Sequence, residues 1–215
     1  MKKRSGKTVG AKSRARVPRR HASRAKSPVN AVFLVGFMGA GKSSVGRALG
    51  LHLNWAFEDL DDRIERREGR TVAEIFGKSG EDEFRRAEHS ALRQLLEELR
   101  GGGVRIVALG GGAFVQQGNA NLLSKSGHPT VFLDAPVEEL WQRCSRQACE
   151  AGAERPLLRS LRQFGKLYEA RRKHYAKASV RIQTERQTVD AIAALIAEKL
   201  GLKKIEVRTE QGEVE

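Results

Sequence analysis

Cysteine is nearly absent: of 215 residues, only Cys144 and Cys149 carry a thiol. Two thiols five positions apart make no disulfide framework, and no clustered Cys or His joins them to complete a metal site. Reduced thiols in a reducing cytosol are the simplest account, so a cytoplasmic location is expected. Long apolar runs are lacking too. The longest, around residues 31–41, is far short of the roughly 20 residues a membrane-spanning helix needs, so no membrane association is expected. The basic N-terminus is not followed by the apolar stretch of about 7–15 residues that marks a secretory signal. Aromatic residues make up only 6% of the chain, and they form no aromatic–basic stripe of the kind that stacks on single-stranded nucleic acid.

Acidic residues are missing from one place in particular. Residues 1–28 contain eleven of the 40 Lys and Arg and none of the 26 Asp and Glu, so they carry +11 of the formal +14; the other 187 residues carry +3. The basic character therefore belongs to an arm and not to the rest of the chain. This arm has no apolar periodicity and too little apolar surface to offset the entropy of ordering it, so disorder is expected. It reads as a solubilising tail; contact with nucleic acid or an anionic surface, and an organelle transit peptide, stay open as alternatives. Nucleic acid is expected only as a non-specific partner of the arm. Residues 29–203 suit one domain with a sizeable core, and 204–215 read as a polar C-terminal tail.

The strongest signal is Gly36-Phe37-Met38-Gly39-Ala40-Gly41-Lys42-Ser43, which spells GxxxxGKS directly after the apolar run Ala31–Val35. A buried strand ending in a Gly-rich turn that opens a helix is the setting a P-loop requires. Glycines let the backbone wrap a phosphate chain, so that successive N–H groups and a helix N-terminus point at the anion. Lys42 supplies a positive charge for the β- and γ-phosphates, and Ser43 a hydroxyl for Mg²⁺. Binding of a nucleoside triphosphate is expected.

Beyond residue 30, apolar runs and helical patterns alternate. Strands are expected at Ala31–Val35, 55–57, 104–109, 130–133 and Val180–Gln183. Helices are expected at Lys42–Leu53, 61–67, 80–100, 119–125, 136–148, Leu161–Tyr175 and Val189–Leu200. Leu92, Leu95, Leu96 and Leu99 share one helical face, and Thr71-Val72-Ala73-Glu74 reads as a capping box. Strands separated by helices imply a parallel sheet covered on both faces, an α/β fold.

Four features could carry chemistry. Gly110-Gly111-Gly112 ends a strand, where an open α/β sheet binds its ligands and where a loop without side chains lets backbone approach a substrate; an ordinary turn is the alternative. Asp59 and Asp61, at alternate positions of the expected second strand's end, can face one crevice, one serving Mg²⁺ and one the acceptor hydroxyl. A solvated helix N-cap cluster is the alternative there. Arg85 and Arg86 sit early in a long helix, a poor place for cations unless an anion lies nearby. Arg155 follows a loop rich in small residues that could close as a lid against water.

Together these residues resemble a family. The segments GFMGAGKSSVGR, DLDDRIERREGRTVAEIF, EDEFRRAE, LGGGA, RPLL and LYEARRKHY, in this order between about 30 and 200, resemble those of shikimate kinase. The resemblance implies a three-layer P-loop fold of nucleoside-monophosphate-kinase type, with a five-stranded parallel sheet in the order 2-3-1-4-5 and a mobile lid. It implies transfer of a phosphoryl group from ATP to the 3-hydroxyl of shikimate with one Mg²⁺. ATP would be held by Gly39, Ala40, Gly41, Lys42, Ser43, Ser44, Arg143 and Arg155, and Mg²⁺ by Ser43 and, through water, Asp59. Shikimate would be held by Asp61, Arg85, Arg171 and the backbone of Gly110, Gly111 and Gly112, with Phe76 and Phe84 on the apolar side. Asp61 would be the base, and Lys42 and Arg155 would stabilise the transferring group. Gln187, in a loosely matching segment, is given no role. A monomer is expected. The alternative acceptor is a gluconate-type anionic polyol; an NTP-dependent nucleic-acid-binding protein is a weaker alternative still.

Overall fold

A computed structural model describes residues 29–151 and 160–205, with side chains at 149–151 excepted. The five consecutive apolar residues of β1 (Ala31–Val35) are buried on both faces, which only a central strand covered by helices allows. β2 (Ala56–Asp59), β3 (Arg105–Ala108), β4 (Thr130–Asp134) and β5 (Val180–Gln183) complete a parallel sheet in the order β2-β3-β1-β4-β5. This is the strand order expected from the resemblance. The register aligns Leu34 of β1 with Ala108 of β3 and Val131 of β4, so the carboxyl ends of β1 and β3 open side by side.

Helices α1 (Lys42–Leu53), α2 (Leu60–Glu68), α3 (Val72–Arg100), α4 (Gln117–Ser126), α5 (Val137–Ala151), α6 (Leu161–Tyr175) and α7 (Val189–Leu200) flank the sheet. Ala113–Val115 form one 3₁₀ turn. The capping box is formed: Thr71 Oγ1 accepts from the Glu74 N–H, and Glu74 accepts from the Thr71 N–H. Leu92, Leu95, Leu96 and Leu99 lie buried along one face of α3.

The capped helix and the long helix that follows it are two segments of α3 that meet at a kink at Gly80, whose non-helical φ of +81° side chains disfavour, so the two expected helical patterns stay distinct. One detail of the sheet differs from expectation. The second strand ends at Asp59, so Leu60 and Asp61 belong to the first turn of α2. At the other end of the domain, Ile205 donates its N–H to Leu53 O, tying the start of the expected tail to the end of α1.

α6 is fixed to the sheet by a buried carboxylate. Asp134, at the end of β4, accepts from the Tyr168 hydroxyl at 2.7 Å and from Arg172 and Arg181. Phe37, inside the Gly-rich loop, is fully buried against Phe164 and Tyr168 of the same helix. The phosphate-binding loop and α6 are thereby packed as one unit.

Candidate active site

The loop after β1 closes on itself through its own lysine. Lys42 Nζ donates to the carbonyls of Gly36 and Phe37, each at 3.0 Å. Burial pushes its ammonium below the ordinary lysine range, while Asp61 and Asp59 oppose that shift. Ser43, next along the chain, donates its hydroxyl to Asp59 Oδ2 at 2.7 Å. Asp59 also N-caps α2 by accepting the Asp61 N–H at 3.1 Å on its other oxygen. Strand alternation therefore does not bring the two aspartates together. The cap does: it folds Asp61 back beside Asp59.

Asp61 is set for proton chemistry. Its Oδ1 is buried and without a hydrogen-bond partner among the described residues. Burial, reinforced by the nearby Asp59 charge and opposed by Lys42, raises its carboxyl to about 6. Gly110 is what makes room for it: a methyl group there would lie 2.7 Å from Asp61 Oδ1. The same holds at Gly112, where a methyl would lie 2.6 Å from a terminal nitrogen of Arg85. At Gly111 the nearest side-chain atom is Nη1 of Arg171, 3.9 Å from such a methyl. The glycine triplet thus runs past Asp61, Arg171 and Arg85 in turn, with no side chain of its own to separate them.

Each arginine is braced. Arg85 Nη1 donates to both oxygens of Glu88, at 3.1 Å, and its other nitrogens reach Glu81. Its guanidinium carbon lies 5.1 Å from the Phe84 ring centroid and 6.0 Å from that of Phe76, and the two rings are 4.5 Å apart. Arg86 is exposed and pairs with Glu83. The awkward cations near the helix start are therefore balanced by acids of their own helix. Arg171 lies over the Phe37 ring at 5.9 Å, and the Tyr175 hydroxyl, one turn further along α6, donates to the Gly111 carbonyl. Burial pushes the Tyr175 phenol up to about 12, so it remains a donor at any physiological pH.

The other side of the loop opens into a cavity of about 460 Å³. Gly39, Ala40, Gly41, Ser44 and Arg143 line it, as do Arg146, Thr188 and Gln187. Arg143 is held by Glu139 and by the Thr184 carbonyl. Every expected nucleotide-side residue outside the Lys42-Ser43 pair is thus in one place, except Arg155. That residue lies outside the described residues, as do 152 and 153 of the expected lid loop before it, whereas 147–151 of that loop instead continue helix α5.

Sequence reasoning passed over Glu88, Tyr175 and the cavity residues Arg146 and Thr188. Glu88 and Tyr175 sit three and four positions beyond Arg85 and Arg171, the spacing of one helical face, which is the signal that could have found them.

Known proteins resemble this chain along most of its length. A profile described as shikimate kinase matches residues 38–201. The shikimate kinase of Cereibacter sphaeroides is 37% identical over 183 residues, covering 84% of this chain and 87% of that protein. That of Thermus thermophilus is 39% identical over 176 residues, covering 80% and 91%. Among solved structures, shikimate kinase from Acinetobacter baumannii in complex with shikimate superposes with a TM-score of 0.71 at 33% identity, covering 83% of this chain and 96% of that one. Likeness of this degree, sustained across whole relatives, reaches far beyond a shared phosphate loop, and the chain belongs to the shikimate kinase family.

Proposed function

We propose that the protein transfers the γ-phosphoryl group of ATP to the 3-hydroxyl of shikimate. The observation that carries this reading is the crevice where the glycine triplet brings the Asp61 carboxyl, Arg85 and Arg171 within reach of one small molecule beside the phosphate loop. The triphosphate lies along the loop, its β- and γ-phosphates facing the N–H groups from Gly39 to Ser44 and the Lys42 ammonium. The cavity lined by Arg143 and Thr188 takes the nucleoside.

The Ser43 hydroxyl and Asp59 carboxylate are already paired and offer two hard oxygen donors, a set that suits Mg²⁺ with waters and phosphate oxygens completing its shell. When bound there, such an ion would neutralise charge on the β- and γ-phosphates. The chain's own residues do the rest. The acceptor carboxylate is gripped by the planar guanidinium groups of Arg85 and Arg171, its ring rests against Phe76 and Phe84, and its hydroxyl faces the unpartnered Asp61 oxygen. Asp61 takes the hydroxyl proton as the oxygen attacks phosphorus in line, without a covalent enzyme intermediate. Arg155 approaches the transferring phosphoryl group and, with the lid, excludes water.

Product analysis tests the reaction itself. After incubation with ATP, Mg²⁺ and shikimate, a ³¹P signal coupled to the proton on carbon 3 is expected. A phosphomonoester elsewhere on the ring, or none, would contradict the assignment.

The carboxylate grip gives a prediction for binding. Losing Arg85 or Arg171 should weaken the acceptor and leave nucleotide binding nearly untouched. A hydrogen bond to a charged group is worth about 1.5–3 kcal/mol, or roughly 10- to 150-fold in affinity. Arg85→Lys keeps the charge but loses the planar fork, so its KM for shikimate should still rise clearly. Shikimate with its carboxylate replaced by a neutral amide should bind the natural protein poorly and lose little more in the arginine variants. An amide analogue that turns over as well as shikimate would remove the grip from the account.

The basic arm should be dispensable for turnover. Deleting residues 1–28 removes +11 of charge and leaves in place the core of the described residues, which begins at β1. At moderate salt kcat/KM should persist; a large loss would mean that the arm contributes to the site. Binding to DNA or RNA, if present, should vanish with the deletion and with salt.

A further inference from the structure

Behind Arg85 lies a hydrogen-bonded chain that the proposed reaction does not use. Glu88, wholly buried, holds Arg85 with both oxygens. Asn119, 1% exposed in the first turns of α4, donates from Nδ2 to Glu88 Oε2 at 3.3 Å and to the Ala113 carbonyl at 3.1 Å. Its Oδ1 lies 2.8 Å from Nδ1 of His89. Both amide hydrogens are committed to acceptors, so the amide oxygen must be the acceptor from His89. The imidazole Nδ1 therefore carries a proton, which fixes the tautomer when His89 is neutral. Every polar atom of the Asn119 side chain is satisfied, and none touches solvent-facing groups other than His89.

The position of this amide matters. Ala113 directly follows Gly112, the residue whose missing side chain admits the Arg85 guanidinium. One side chain from α4 thus grips both the exit of the glycine triplet and the counter-ion of Arg85 on α3. We propose that Asn119 is a positioning residue of the acceptor site, an amide that sets the Glu88 carboxylate behind Arg85 at a fixed distance from the triplet, with His89 locking the amide the right way round. An amide is needed because the site asks for two donors and one acceptor. A carboxylate at 119 would face Glu88 and a carbonyl with no proton to offer, and an apolar side chain would leave part of Glu88 without its donor.

The inference rests on shikimate as acceptor, and the experiment separates the two. Steady-state kinetics of the full chain are compared for Asn119→Leu, Asn119→Asp and His89→Leu with shikimate and with its neutral amide analogue. For Asn119→Leu, loss of a hydrogen bond to a charged group should raise KM for shikimate about 10-fold or more while kcat and KM for ATP change less than about threefold. Asn119→Asp should be worse, and His89→Leu, which leaves the buried amide in place, should raise the same KM about two- to fivefold by the value of one neutral hydrogen bond. Because the effect acts through Arg85, it should shrink towards unity with the amide analogue and in the Arg85→Ala background. A role confined to holding the fold would instead move kcat, both KM values and the analogue alike, and would overturn the proposal. So would unchanged kinetics for shikimate. If Asn119→Leu does not fold, His89→Leu decides by the same split. A natural protein that fails to phosphorylate shikimate at all would instead strike the acceptor assignment.

Discussion

Replacing Lys42 with alanine is expected to lower kcat by two to three orders of magnitude or more, with the fold intact. Removing one preorganised charge or donor from a transition state typically costs on the order of 10²–10³ in rate. Lys42 holds its place by donating to Gly36 and Phe37 within its own loop, so it is positioned before any phosphate arrives and reorganises little during transfer. Burial already makes its ammonium less comfortable than an exposed one, and an incoming phosphate relieves that cost. Single-turnover measurements with saturating ATP would separate chemistry from binding. A variant within about threefold of the natural rate would mean that the loop holds no transferring phosphate, since a charge worth 10²–10³ would then be missing without effect.

Asp61→Asn is expected to reduce kcat by about 10²–10⁴, the range over which a positioned general base acts, while KM for ATP changes little. The amide is nearly isosteric but cannot take the hydroxyl proton. If KM for ATP moved and kcat did not, Asp61 would belong to the nucleotide and the division of labour with Asp59 would be wrong. The pH dependence follows from the same burial. With its carboxyl raised to about 6, Asp61 is protonated below that value and unable to act as base, so kcat/KM should fall as the pH drops through about 6 and level off above it. This limb should be lost in the residual activity of Asp61→Asn.

Stability gives a check of opposite sign. A carboxyl whose folded-state affinity for protons exceeds its unfolded one contributes stability fully below the unfolded value of 3.8 and loses that contribution as the pH rises through about 6. At pH 7.5 the ionised Asp61 is therefore a cost to the fold, and Asp61→Asn should melt at the same temperature or higher. A clear drop in Tm would mean that the carboxylate is held by partners and is not poised for a proton.

Much of this site could be read from local pattern. The P-loop announces itself because strand, glycine turn and helix are contiguous, and the capping box at Thr71 needs only four residues. The aspartates show where such reading stops. Alternation is a property of strands, but the strand ends at Asp59 because its side chain caps the next helix; the expected proximity arose from a different cause. Gly80 is the opposite case, since the residue that separates two helical patterns in sequence also breaks the helical path between them in space. Strand order lies in no periodicity and came from the resemblance to shikimate kinases. Asn119 was illegible for a plainer reason. Its side chain acts through hydrogen bonds to residues as far as 31 positions away, and nothing in the local sequence marks such a partner.

The acceptor decides the central claim. Purified full chain should be given ATP and Mg²⁺ with shikimate, gluconate or a nucleoside monophosphate in turn, and ADP release followed for each. ADP should form rapidly with shikimate and at background rates with the other two, because shikimate's ring fixes the spacing between a carboxylate at Arg85 and Arg171 and a hydroxyl at Asp61, whereas gluconate carries its carboxylate on a flexible open chain and a nucleoside monophosphate has none. Equal or faster release with gluconate or a nucleoside monophosphate would contradict the account.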